Sequence, residues 1–328
     1  MNAGPSRLVG DVGATNARFA LIAPDGTIMR SRVLACGDYP AIEHAIAAYL
    51  ADEPKPDPMP REAALAVASP VTGDRIALTN NPWTFSIEEM RRRFGFDRLI
   101  VVNDFTANAY AVPHLIESDR TQIGPGRPVP DAPIGVIGPG SGLGVSGLVP
   151  SSAGWITIPS EGGHITMPPA DARESAVLDL MRRRLDHVSA ERVLSGPGLI
   201  NLHNVLCEMA GVPAPSFTPA QITDPRICSE DLLCREAVEM FCAMLGTVAG
   251  NLALTLGARG GIYIAGGIVP KLGAAFARSA FRARFEAKGR MKSYVAAIPT
   301  YVITHPVPAF IGAAKLLDRP QSADRVMA

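Results

Sequence analysis

Two polar residues close a short apolar run at Leu99-Ile100-Val101-Val102-Asn103-Asp104-Phe105-Thr106-Ala107. An amide beside a carboxylate, at the carboxyl end of a strand buried on both faces, is where open α/β sheets place their ligands. Asp104 reads as a catalytic base and Asn103 as the group that holds a substrate next to it. A helix N-cap accounts for Asp104 as well, since Asp is a favoured capping residue.

Three further places carry chemistry. The turn Asp11-Val12-Gly13-Ala14-Thr15-Asn16, with Gly10 before it, puts small residues, a hydroxyl and an amide where a phosphate could approach the backbone. Asp11 could face a magnesium ion through water, because magnesium keeps several waters and prefers carboxylates. An ordinary hairpin turn explains the same residues. A second glycine turn, Gly138 to Gly144, includes Gly140, Ser141 and Gly142 and can present several amides to an anion. It is no Walker A loop. The G-x-G-x-x-G match at 142–147 is followed by a strand-like segment where a dinucleotide fold needs a helix, which argues against a dehydrogenase.

Glu161 and His164 stand three residues apart across two glycines, a spacing that can aim both at one small polar ligand. Glu191 precedes a Gly-Pro-Gly turn and could equally be a surface charge paired with Arg192. Gly266 and Gly267 end a strand and leave room for a flat ring.

The elements that position these groups alternate between strands and helices. Strands are expected at 7–10, 17–22, 27–34, 63–68, 75–79 and 99–102, with helices at 41–50, 86–94 and 106–112. Pro54 to Pro60 and Thr121 to Pro133 read as loops. In the second half, strands are expected at 134–137, 145–149, 155–158, 261–265 and 301–304. Helices are expected at 172–186, 197–210, 230–256, 271–286 and 307–317. Strand, glycine turn, strand, strand and then helices occur twice, so the class is α/β with antiparallel hairpins opening each half.

The 328 residues, 47% apolar and 19% charged, suit two domains or one large one. With 31 basic and 31 acidic residues, no electrostatic argument favours nucleic acid or an anionic membrane. Met1 to Arg7 has no signal-like apolar segment. Uncharged Met240 to Ala258 reads as a buried core helix, not a membrane span. Cys36, Cys207, Cys228, Cys234 and Cys242 form no C-x-x-C pair, which suggests neither zinc nor disulfides and places the protein in a reducing cytoplasm.

In order along the chain, G-D-V-G-A-T-N-A-R (10–18), N-D-F-T-A (103–107), S-E-G-G-H (160–164), E-R-V-L-S-G-P-G-L (191–199) and A-G-G-I-V-P (265–270) resemble the bacterial glucokinase family, in the sugar-kinase, actin and heat-shock-chaperone superfamily. The resemblance implies two ribonuclease-H-like domains flanking a central cleft. Residues 1–110 with about 305–328 would form the small domain and 111–304 the large one. It implies phosphorylation of glucose at its 6-hydroxyl by ATP with magnesium, feeding glycolysis, in a cytoplasmic homodimer. Asn103, Asp104, Glu161, His164 and Glu191 match the sugar-binding positions, with Asp104 as base. The turns at 11–16 and 138–144 match the phosphate loops, and 265–270 the adenosine side. Ala14, Ser141 and Ser160 stand where the family usually has Gly, Thr and Gly. Rival readings are a kinase for another hexose and a sugar-responsive regulator without catalysis.

Overall fold

Buried apolar runs set the first sheet. The computed structural model describes residues 6–52, 56, 58–152 and 154–321. The chain divides into two units, Met1–Leu115 with His305–Ala328, and Ile116–Thr304. The first five residues, part of the proline-rich segment (Glu53, Pro54, Lys55 and Asp57) and the tail from 322 lie outside the described residues. So parts of the expected signal-free start, the 54–60 loop and the C-terminal piece of the small domain are not described.

In the first unit, β1 (Arg7–Val12), β2 (Asn16–Ile22), β3 (Ile28–Ala35), β4 (Glu62–Val67) and β7 (Arg98–Asn103) form a sheet in the order β3-β2-β1-β4-β7. β5 (Arg75–Ala77) and β6 (Thr84–Ser86) pair as a separate hairpin. β1 runs antiparallel to β2, and β4 and β7 run parallel to β1. Ala63 to Val67 are fully buried, as expected of a central parallel strand covered on both faces. Helices α1 (Ile42–Ala51), α2 (Ile87–Phe94) and α3 (Asp104–Ala111) and the closing helix Pro308–Leu317 complete the unit. The closing helix packs on α3 so tightly that a Cβ on Gly312 would sit 1.8 Å from the Ala107 carbonyl oxygen. Arg98 donates to the Leu317 and Arg319 carbonyls at 3.0 and 2.9 Å, placing a cation at that helix's C-terminus.

The second unit holds β8 (Arg120–Ile123), β9 (Ile134–Pro139), β10 (Leu143–Ser151), β11 (Gly154–Ser160), β12 (Gly261–Ile264) and β13 (Thr300–Ile303), in the order β11-β10-β9-β12-β13-β8. Its helices are α4 (Ala172–Arg182), α5 (Gly196–Ala210), α6 (Pro219–Ile222), α7 (Pro225–Glu230), α8 (Leu232–Leu256), α9 (Val269–Leu272), α10 (Ala274–Arg278), α11 (Phe281–Glu286) and α12 (Lys292–Ala296). Both sheets place three antiparallel strands beside two that run parallel to the first, so the internal echo is real at the level of topology.

Two expectations fail locally. Residues 121–123 of the expected loop join Arg120 in an edge strand paired with β13; its polar middle faces no core, so it lacks a hydrophobic signature. The expected helix 271–286 is three short ones. Gly273 takes φ +49°, and Ser279 turns extended and caps Phe281, so the backbone leaves the helical region twice. Helix α8 is long and apolar enough to cross a membrane, but 72% of its apolar window is buried in the second unit's core.

Candidate functional site

Three strand ends of the first unit gather the first group of residues. β1, β4 and β7 are parallel, so the Asp11–Asn16 turn, Ser69 and Asn103 share the carboxyl edge of the sheet. Asn103, not Asp104, is the N-cap of α3. Its Oδ1 accepts the Phe105 and Thr106 amides at 2.9 and 3.3 Å, and its Nδ2 reaches the Ser69 carbonyl at 3.4 Å. The capping alternative thus belongs to the neighbouring residue. Asp104 is the first residue of the helix, and its Oδ1 accepts the Phe105 amide at 2.9 Å. That bond orients a half-buried carboxylate at a helix N-terminus, where negative charge is favoured.

The β1–β2 turn is tied down by its carbonyls. Gly13 donates to Asn16 O at 3.0 Å, Cys36 donates to Thr15 O at 2.8 Å, and Asn81 donates to Ala14 O at 3.2 Å. The Thr15 side chain is left outward, with Asn16 Nδ2 donating to its hydroxyl at 3.1 Å. Gly10 has another reason to be glycine: a Cβ there would meet Leu65 at 2.6 Å and Phe19 at 3.0 Å, so it serves sheet packing. Val12 is buried in the first unit's core. Asp11 stands opposite Arg18 in register, and Arg18 donates to its Oδ2 at 3.0 Å. Burial pushes the Asp11 carboxyl up from its ordinary range, and the guanidinium holds it back in part. Arg18 carried no role in the sequence reading. Hairpin register across the 13–16 turn is the signal that finds it.

The second unit assembles the other group. Glu161 and His164 lie at the ends of a tight turn; His164 Nε2 is 3.9 Å from Glu161 Oε2, and both side chains are exposed. The turn lies flush on the start of β10, where a Cβ on Gly163 would come within 1.9 Å of Leu143 O. Leu143 donates its amide to Glu191 Oε2 at 2.9 Å, and the same oxygen would be 2.4 Å from a Cβ on Gly142. Glu191 is therefore turned onto the glycine turn and is not a surface charge. Ser195 fixes it from behind, donating to Glu191 O at 2.7 Å while capping α5 through the Gly198 amide at 3.0 Å. The segment after His164 pairs with the one before Glu191, through Ala190 N to Ile165 O at 2.8 Å and Met167 N to Val188 O at 3.0 Å.

The glycine turn itself closes with Gly140 N on Gly142 O at 2.8 Å, leaving Ser141 exposed. Gly196, the first residue of α5, donates to Gly140 O at 2.8 Å, which sets a helix N-terminus beside the turn. Such an N-terminus favours anions. Gly266, at φ +83°, packs against Pro139, where a Cβ would be 2.4 Å from the carbonyl oxygen. Gly267 faces open space. Structure thus brings Glu161, His164, Glu191, Gly140–Gly142 and Gly266-Gly267 to one edge of the second sheet. The Leu143 amide and Ser195, which hold Glu191, went unnoticed because backbone amides and caps leave no side-chain pattern tied to a distant carboxylate.

A family model described as glucokinase matches residues 8–320. A glucokinase of Paramagnetospirillum magneticum is 53% identical over 317 residues, covering 96% of this chain and 98% of its own length. One of Aromatoleum aromaticum is 49% identical over 313 residues, 95% of this chain and 94% of its own. The crystal structure of a glucokinase from an Antarctic psychrotroph is similar with a TM-score of 0.85 at 36% identity, covering 96% of this chain and 99% of that one.

Proposed function

The chain belongs to the glucokinase family, whose members phosphorylate glucose with ATP, and from that premise we propose that Asp104 is the base accepting the proton of the glucose 6-hydroxyl. The observation that carries the reading is the Asp104 carboxylate, oriented by the Phe105 amide at the first position of α3. Phosphoryl transfer runs through a loose transition state, so catalysis is mostly positioning and charge neutralisation. A carboxylate held at one angle supplies the first.

In this reading Asn103 Nδ2, Glu161, His164 and Glu191 bind the other glucose hydroxyls. A hydroxyl missing from the sugar leaves such partners unpaired, which discriminates strongly. The β1–β2 turn and the Gly140–Gly142 turn receive the phosphates, and Gly266-Gly267 the adenosine. The strand order shared by the two sheets supports taking each unit as ribonuclease-H-like.

Asp11 fits a role toward magnesium through water. Its half-buried carboxylate is only partly compensated by Arg18, so a second cation nearby is favourable. Magnesium bound with ATP would neutralise phosphate charge. A reducing cytoplasm suits five free cysteines, and the product would feed glycolysis. The assembly we expect is a homodimer, which sedimentation velocity tests.

Asp104→Asn keeps the shape and removes the proton acceptor. Loss of a general base costs on the order of 10²–10⁴ in rate, so kcat should carry the loss. Glucose should still bind, and the melting temperature should hold because Asn103 keeps the cap. Retention of more than about a third of kcat, far above what losing a base allows, overturns the assignment.

A further inference from the structure

Away from these residues, one cluster in the second unit has the composition of a metal site. α5 carries His203 and Cys207, four residues apart and so on one helix face. Asp231 and Cys234 stand at the start of α8. Ligand atoms of His203, Asp231 and Cys234 all lie within 4.8 Å of one another, and Cys207 Sγ is 3.6 Å from His203 Nε2. His203 and Cys234 are fully buried and Cys207 is 1% exposed. His203 Nδ1 is buried with no hydrogen-bond partner. A neutral imidazole has one donor and one acceptor nitrogen, so either tautomer leaves a polar atom unsatisfied in the core.

We propose that His203, Asp231, Cys234 and Cys207 form a structural site for a divalent ion of the zinc type. Imidazole, thiolate and carboxylate suit zinc, whereas magnesium takes oxygen ligands, so this ion is distinct from one carried with ATP. Tetrahedral bonds of about 2.0–2.3 Å set ligand atoms roughly 3.3–3.8 Å apart, so the His203, Asp231 and Cys234 ligand atoms close by about an ångström on binding, and Cys207, close to His203 but outside that group of three, swings in as the fourth ligand. Asp231 can serve while still capping α8: its Oδ1 accepts the Leu233 and Cys234 amides at 2.8 and 3.0 Å, which leaves Oδ2 out of the cap, and the Cys234 thiol already hydrogen-bonds to this carboxylate, a contact the ion would replace. Each ligating thiol sheds its proton to solvent as the sulfur binds. The ion would pin α5, whose first residue donates to Gly140, to the central core helix α8. The wide spacing of the cysteines hides the cluster from any motif search, because it assembles across two helices.

The test uses the full chain, expressed with zinc in the medium and desalted. Metal analysis should find one zinc per chain, and a chelator should lower the melting temperature. Cobalt added to the stripped protein should give a thiolate-to-metal charge-transfer band. His203→Asn and Cys234→Ser should each lose the metal. Cys228→Ser should keep it, because that thiol already donates to Ile222 O at 3.0 Å. If the core variants fail to fold, the cobalt titration of the wild-type chain decides. Substoichiometric zinc with no charge-transfer band overturns the proposal. So does stoichiometric metal that survives both variants, or a disulfide between Cys207 and Cys234.

Discussion

Replacing Asn103 by serine and by alanine separates the two duties this residue carries. Its Oδ1 caps α3 through two amides, and its Nδ2 is the donor assigned to glucose. Serine caps about as well as asparagine, whereas alanine costs typically about 1 kcal/mol. Asn103→Ser should therefore melt close to wild type, and Asn103→Ala should melt roughly 2–4 °C lower. Both lose the amide donor. A neutral hydrogen bond is worth about 0.5–1.5 kcal/mol, so the glucose KM should rise roughly three- to ten-fold in both. The ATP KM should stay put. A coupled ADP assay with glucose varied at saturating ATP reads the constants, and differential scanning calorimetry reads the melts. If Asn103→Ser restores both the melt and the wild-type glucose KM, Asn103 is a cap and nothing more.

Glu161→Gln should raise the glucose KM about ten- to a hundred-fold, since a bond to a charged group is worth roughly 1.5–3 kcal/mol; an equal rise in the ATP KM would make the segment structural support. Gly163→Ala forces a Cβ toward Leu143 O at 1.9 Å and should cost roughly 1–3 kcal/mol in denaturant melts with a weaker glucose KM, whereas Gly267→Ala, with open space around it, should melt like wild type and weaken ATP. For Arg18→Met the sign follows from linkage. The Asp11 pKa lies above its unfolded value, so its contribution is full below the unfolded pKa and is lost as pH rises through the folded one. Removing the guanidinium raises it further, so the stability deficit of the variant should be largest near neutrality and shrink toward acid pH. A deficit that grows on acidification refutes the pairing.

Most strands were legible because their cause is local. The runs at 8–9, 63–67 and 99–102 are apolar enough to be buried on both faces, and Pro24-Asp25-Gly26 marks the next reversal. What failed was set by neighbours. Arg120–Ile123 becomes a strand only because β13 offers it an edge, and polar edge residues carry no alternation to read. Residues 271–286 have helical composition throughout, and only the turn at Gly273 and the cap at Ser279 split them. The same division runs through capping. Ser86 opens an S-x-x-E run visible in the sequence and accepts the Glu89 amide at 3.1 Å, but Asp74, twelve residues before it, takes the Glu88 amide at 2.9 Å.

The site was legible as residue types and not as an assembly. Glycines at 138–144 and 266–267 read as room for phosphate or a flat ring, and those at 162–163 as a pliable spacer between Glu161 and His164, but the structure sorts them by what surrounds them. Gly142, Gly163 and Gly266 are filled against Glu191, Leu143 and Pro139, so a side chain there would push apart the protein's own parts. Gly140 and Gly267 meet nothing within 4 Å. Packing demands glycine at the first three, which draw the Glu161–His164 turn, the Glu191 carboxylate and the β9 end together. Packing demands nothing at the last two, which is compatible with the phosphate and adenosine contacts proposed for them and does not by itself require a ligand. A glycine-rich turn in the sequence thus mixes two kinds of position, and the distance from an imagined Cβ to its neighbours tells those that packing requires to be glycine from those that packing leaves open.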